Sequence, residues 1–169
     1  NISLVAVALF NGIAQGSQPL ISESYGKGRM QDVRYVVGLA LKTAIGLAVI
    51  IIAAIYIWSD PIASIFNSEK NMELASYARE GIRLYFLGFM FAGINIIGTA
   101  ALSAVEAVKW AFTASIMRGF VAILIFAFVL SALFGMTGVW LAFPAAELVT
   151  MTLSIIGMKK SIAVSKTTG

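Results

Sequence analysis

Residues 36–58 carry one charge, Lys42, in an otherwise unbroken run of apolar and small side chains. A helix rising about 1.5 Å per residue needs about 20 such residues to cross the hydrocarbon core of a bilayer. Four further runs have the same character, at about 2–22, 82–103, 112–134 and 137–158. None alternates with the period of two that marks a barrel strand, so helices must satisfy the backbone in lipid. The fold class is therefore all-α, a polytopic membrane helix bundle of about five transmembrane helices. Composition agrees: 60% of the 169 residues are hydrophobic and only 12% are charged, too few to coat a soluble domain.

Several chemistries are excluded at once. The chain has neither cysteine nor histidine, which removes disulfides, thiolate and imidazole metal sites, imidazole proton relays and Ser-His catalysis. No phosphate loop, zinc-helix motif or nucleophile turn is present, and the carboxylates are scattered instead of paired on one face. An enzyme is not expected, nor a metal centre, an organic cofactor or a nucleic-acid partner.

The connections set the orientation. Lys27, Arg29, Arg34, Lys42, Lys109, Arg118, Lys159, Lys160 and Lys166 fall on one side of five alternating spans, against Lys70, Arg79 and Arg83 on the other. Excess Lys and Arg stay in the cytoplasm, so the first span runs inward and residues 159–169 form a basic cytoplasmic tail. The connection at 59–81 is expected to hold a short interfacial helix after Pro61, bearing Ile62, Ile65 and Phe66. A second short helix follows, capped by Asn67 or Ser68 and running from about Lys70 to Arg79. Trp58 and Tyr85 sit where interfacial aromatics belong. The sequence opens at Asn1 with the apolar run starting at Ile2 and no leader-like pattern, which reads as a piece of a longer protein.

Polar residues inside the spans are the functional candidates. Asn11, Gln15, Gln18 and Ser22 follow at i, i+4, i+7 and i+11, one helical face. Amides in hydrocarbon must meet protein or a wet cavity. Pro19 removes a backbone donor and crowds the carbonyl of Gln15, so a kink or an end to the regular helix is expected there. Gly88, Ala92, Asn95, Thr99 and Ser103 repeat the pattern in the third span, where small residues allow close helix approach. These stripes either glue helices together or line a cavity, with Asn11, Gln15, Gln18, Pro19, Asn95 and Thr99 as the lining candidates. Glu147 lies near the middle of the last span and must be protonated, paired or wet. It is the candidate for proton or cation coupling, against a purely structural bond to a neighbouring helix. Arg118 is placed near the end of its span, from which it can snorkel to the interface, and Lys42 is read the same way.

The passage "GIAQGSQPLISESYGKGR" resembles the multidrug and toxic compound extrusion (MATE) family in its bacterial branch. So do "PIASIFNSEKNMELASYAREGIRLYFLGFMFAGIN" and "GMTGVWLAFPAAELVTM", in that order. Gln18 and Pro19 match the family's Q-P pair, and Gly26 its loop glycine. The resemblance implies twelve helices in two six-helix lobes, with residues 1–158 forming most of the C-terminal lobe, and a missing N-terminal lobe as partner. It further implies a secondary antiporter in the inner (plasma) membrane, exporting small cationic or amphipathic organic compounds against entry of H+ or Na+. Sodium-coupled members can use carboxylates in the seventh and tenth helices; the span that corresponds to the tenth has none from Gly88 to Ser103. A lipid-linked oligosaccharide flippase of the same superfamily is the alternative, and a small membrane scaffold or enzyme subunit a further one.

Overall fold

The computed structural model describes residues 2–66 and 72–163. Its helices are α1 (Ile2–Gly26), α2 (Met30–Phe66), α3 (Met72–Ala104), α4 (Val108–Ile116) and α5 (Ala122–Met158), with π-helical turns at Met117–Val121 and Lys159–Ala163. Among the described residues four helical runs are long and apolar enough to cross a membrane, the last being Val108–Ile162 with 55 residues. As a straight rod that run would extend about 80 Å, far beyond a core of about 30 Å. It does not stay straight. Gly135 takes φ 58° and ψ −131°, and Arg118 meets Glu147, 29 positions later, at 2.7 Å. The run therefore folds back into two antiparallel arms, 108–134 and 136–158, and the bundle has five crossings among its described residues.

Two glycines make that reversal possible. The Gly135 conformation is open only to a residue without a side chain. At Gly138 a Cβ would lie 1.8 Å from the Leu130 carbonyl oxygen, so the returning backbone fits only because none is there.

α3 is the most buried spanning helix and packs against α1, α2 and α5. The small residues of its stripe permit this: Ala92 is fully buried, and a Cβ on Gly88 would meet the Phe143 ring at 2.6 Å. Two apolar clusters hold the ends. One joins Phe10, Ala44, Ala48, Ile55, Phe86 and Phe89, with Tyr85 and Phe143 against it. The other joins Ile21, Val33, Val37, Ala101, Val105 and Ile162, gathering the end of α1, the start of α2, the end of α3 and the last described turn. Arg34 ties that end together by donating from Nε and Nη2 to the Ile162 carbonyl, at 3.3 and 3.2 Å. At the opposite end Arg83 donates to Ser59 Oγ at 2.8 Å and lies over the Tyr56 ring at 5.5 Å.

The connections depart from the sequence reading in three places. α1 continues through Pro19 to Gly26, so the proline does not end the helix, and the turn to α2 occupies only residues 27–29. In its last turns Ser24 is buried and Tyr25 partly so, giving the helix a face to pack after it leaves the apolar run. α2 bends at Trp58 (φ −104°, ψ 16°) and stays helical to Phe66, which supplies the short helix expected after Pro61. The second short helix is instead the beginning of α3, continuous from Met72, while Asn67, Ser68 and Lys70 lie outside the described residues.

Beside the first turn, Lys27 Nζ donates to the exposed Glu23 carboxylate one helical turn back. The Lys27 ammonium, through that bond and its charge, holds the Glu23 carboxyl below its ordinary 4.5. A lowered carboxylate pKa adds stability that is present above the ordinary value and lost as pH falls through the folded one. Exposure keeps the contribution small. In Lys27→Met the Glu23 titration, followed by carbon NMR of the carboxyl, is expected to move back up; an unmoved midpoint would assign the shift elsewhere.

Candidate functional site

The polar stripes of α1 and α3 face one another across a cavity of about 590 Å³. From α1 come Asn11, Ala14, Gln15 and Gln18; from α3 come Ile96, Thr99, Ala100 and Ser103. The spacing of four and three that put these side chains on single faces is what aims them inward. The third wall is Ser115, Arg118, Gly119 and Ile123, and the fourth is Phe143 and Glu147 on the returning arm of α5. Phe143 stacks on Tyr85 with ring centroids 4.5 Å apart and is tilted against Phe89 at 5.4 Å, so the wall continues into an aromatic cluster.

The charged centre of this site is an intramembrane ion pair. Arg118 Nε donates to Glu147 Oε1 at 2.7 Å; the carboxylate side chain is 3% exposed and the guanidinium 28%. Asn95, fully buried on α3, donates from Nδ2 to Glu147 Oε2 at 2.7 Å and to the Glu147 carbonyl at 2.8 Å. Ser154 Oγ donates in turn to Asn95 Oδ1 at 3.0 Å. Both carboxylate oxygens and both ends of the amide are thus engaged, the condition under which buried charge and buried amides are tolerated. Thr150, also fully buried, returns its hydroxyl to the Ala146 carbonyl at 2.9 Å, a self-contained bond. Among the described residues no group of three or more His, Cys, Asp or Glu gathers as a metal site.

Arg118 does not snorkel. α4 begins at Val108, ten residues or about 15 Å of helix before it, and the Arg118 guanidinium turns inward to the buried Glu147 instead of out to the interface. It also sits in the π-helical turn Met117–Val121. Such a turn widens the helix and re-aims the side chains that follow, and π-bulges recur at functional sites. A signal was present in the sequence: Arg118 and Glu147 are the only two charges between residues 112 and 158, and they are opposite. Ser115, Gly119 and Ile123 carried no such signal, because the register of this wall depends on the π turn.

Of the sequence candidates, Asn11, Gln15, Gln18, Thr99 and Glu147 line the cavity. Asn95 stands behind it, bonded to Glu147. Pro19 and Ser22 are exposed on α1 and are not among the lining residues.

Residues 1–129 match the model of the family described as MatE. The chain belongs to that family. This MatE chain is 26% identical over 149 residues to the multidrug export protein MepA of Staphylococcus aureus (strain MSSA476), covering 86% of this chain and 32% of MepA. The MepA of strain bovine RF122 / ET3-1 is 27% identical over 139 residues, covering 80% and 29%. The MatE chain thus spans about a third of the length of the curated relatives it matches. Among solved structures, a multidrug resistance MATE family transporter of the MOP superfamily superposes in its inward-facing conformation with TM-score 0.90 at 17% identity, over 99% of this chain and 39% of that one. An outward-facing structure gives 0.87 at 16% identity, over 98% and 38%. The bent form of the Vibrio cholerae MATE transporter VcmN gives 0.77 at 16%, over 96% and 39%. At these identities the likeness is one of fold, and the fold is that of a MATE transporter lobe. Relatives and neighbours alike are transporters, not enzymes.

Proposed function

We propose that this MatE chain is the C-terminal lobe of a two-lobed secondary transporter that exports small amphipathic organic compounds, cations among them. Entry of protons or sodium drives the export. The observation that carries this reading is the cavity: three amides, two exposed hydroxyl-bearing walls and one ion pair converge between helices that otherwise show lipid-compatible surfaces. Hydrocarbon does not tolerate that polar lining unless it faces water, ligand or another part of the protein. The similarity to structures described as inward- and outward-facing supports a lobe that keeps its internal packing while access alternates, as in repeat-built transporters. Glu147 is the coupling group in this reading, because it is the carboxylate at the cavity wall and its charge is balanced by a partly exposed side chain.

Export is tested by expressing the full-length gene in a pump-deficient host and following efflux of a cationic dye. Energy-dependent efflux that an uncoupler abolishes is expected; equal retention with and without the gene would sink the transporter reading. In this reading the C-terminus lies in the cytoplasm of an inner or plasma membrane, and the excess of Lys and Arg on that side supports the orientation. These 169 residues contain no cysteine, so Ser22→Cys and Trp58→Cys, made in the full-length protein freed of any cysteine elsewhere, give a clean labelling pair. Reagent confined to the outside is expected to reach Trp58→Cys and spare Ser22→Cys; the opposite pattern would invert the orientation.

A further inference from the structure

The cavity offers two charges, but they are not equally available. Glu147 is 3% exposed and both of its carboxylate oxygens already accept bonds, from Arg118 and from Asn95. Arg118 is 28% exposed and uses Nε for its pair; its terminal amino groups have no hydrogen-bond partner among the described residues. Among the described residues no other charged side chain lines the space. The charge that an occupant would meet first is therefore positive, in a site otherwise walled by neutral amides, hydroxyls and one aromatic ring.

We propose that Arg118 is an oxyanion subsite of this cavity: its free guanidinium edge receives a carboxylate or similar oxyanion of an amphoteric organic ligand. This rests on the reading of the space as a transport cavity, and it narrows the ligand class from cations to molecules that also carry an acidic group. A guanidinium presents parallel donors in a plane, the geometry that pairs with a carboxylate through two bonds at once. The π-helical turn carries the side chain, and its pairing with a buried carboxylate keeps it inside the bundle, where water competes less for those donors than at an open surface. Gln15 and Gln18 supply neutral donors and acceptors for the rest of the molecule, and Phe143 a flat apolar wall. Glu147 competes with the ligand for the same guanidinium. Neutralising Glu147 therefore strengthens the subsite.

The test compares two variants that share the loss of Glu147 and differ only at Arg118. The full-length protein is reconstituted in lipid nanodiscs as Glu147→Gln and as the double variant Arg118→Gln/Glu147→Gln. Equilibrium binding is measured for a rhodamine bearing a free benzoate and for the same dye as its methyl ester. Glu147→Gln is expected to bind the benzoate dye about tenfold more tightly than the double variant, equivalent to ~1.4 kcal/mol, with the ester bound alike by both. Equal benzoate affinity in the two variants, no benzoate binding by either, or the same loss for the ester would each overturn the subsite. Cellular export of the ester dye is scored separately. Its absence would count against the transport reading, while the binding comparison still decides the role of Arg118.

Discussion

Replacing Arg118 by leucine is expected to cost about 3–5 kcal/mol of stability, the loss typical of removing one partner from a buried ion pair. The magnitude follows from what is left behind. Glu147 would keep one strong donor, Asn95 Nδ2, but its Oε1 would face a cavity with no other cation in its lining. The Arg118→Gln/Glu147→Gln double variant removes both charges and leaves amides that can still bond to Asn95 and to one another. Its loss should be well under half that of the leucine variant, since the buried charge goes with its partner. Glu147→Gln alone should fall between, because the guanidinium it orphans is partly exposed to the cavity. Thermal unfolding of detergent-solubilised protein, scored by retention of monodisperse material, separates these cases. Equal melting of the leucine and double variants would show that the pair contributes nothing beyond its separate side chains.

The crossings were legible because hydrophobic length is a one-dimensional property, and the bilayer reads it directly. Residues 36–58 needed no partner to be recognised as a span, and the chain reverses at Gly135, between the runs 112–134 and 137–158. The faces of α1 and α3 were legible for a related reason: within one regular helix, spacing alone decides which side chains align. What failed were properties set between helices. The apolar run starting near 112 makes Arg118 a snorkelling residue on sequence grounds; the helix begins at Val108, and the guanidinium turns toward a carboxylate from another arm. Asn95 was visible as an intramembrane amide, but its bonds to Glu147 and Ser154 depend on how α3 crosses α5. Pro19 was read by its local effect, and α1 continues past it because Ile21 and Ser24 are buried against neighbouring elements beyond the proline. Tertiary packing there outweighs a local helix-breaking preference.

Adding one methyl group at Gly138 is expected to disturb the site from the far end of the hairpin. The Cβ of Gly138→Ala would stand 1.8 Å from the Leu130 carbonyl oxygen, 2.3 Å from its carbon and 2.9 Å from the Ser131 nitrogen. These are backbone atoms within a helix, so no side-chain rotation can relieve the clash. The arms must separate, at a cost at or above the upper end of the ~1–3 kcal/mol usual for overpacking. Gly46→Ala is the matched control: nothing lies within 4 Å of the added atom, and alanine is the better helix former. Its melting temperature should stay level or rise. Glu147 and Arg118 ride on opposite arms, so the separation should also loosen their bond. Gly138→Ala and Arg118→Leu, although distant in space, should then cost less together than the sum of their single effects. Independent sites of this separation normally add within ~0.5 kcal/mol. Strict additivity would mean that the turn and the ion pair are held separately, with the register of the returning arm set by α3 and not by the hairpin.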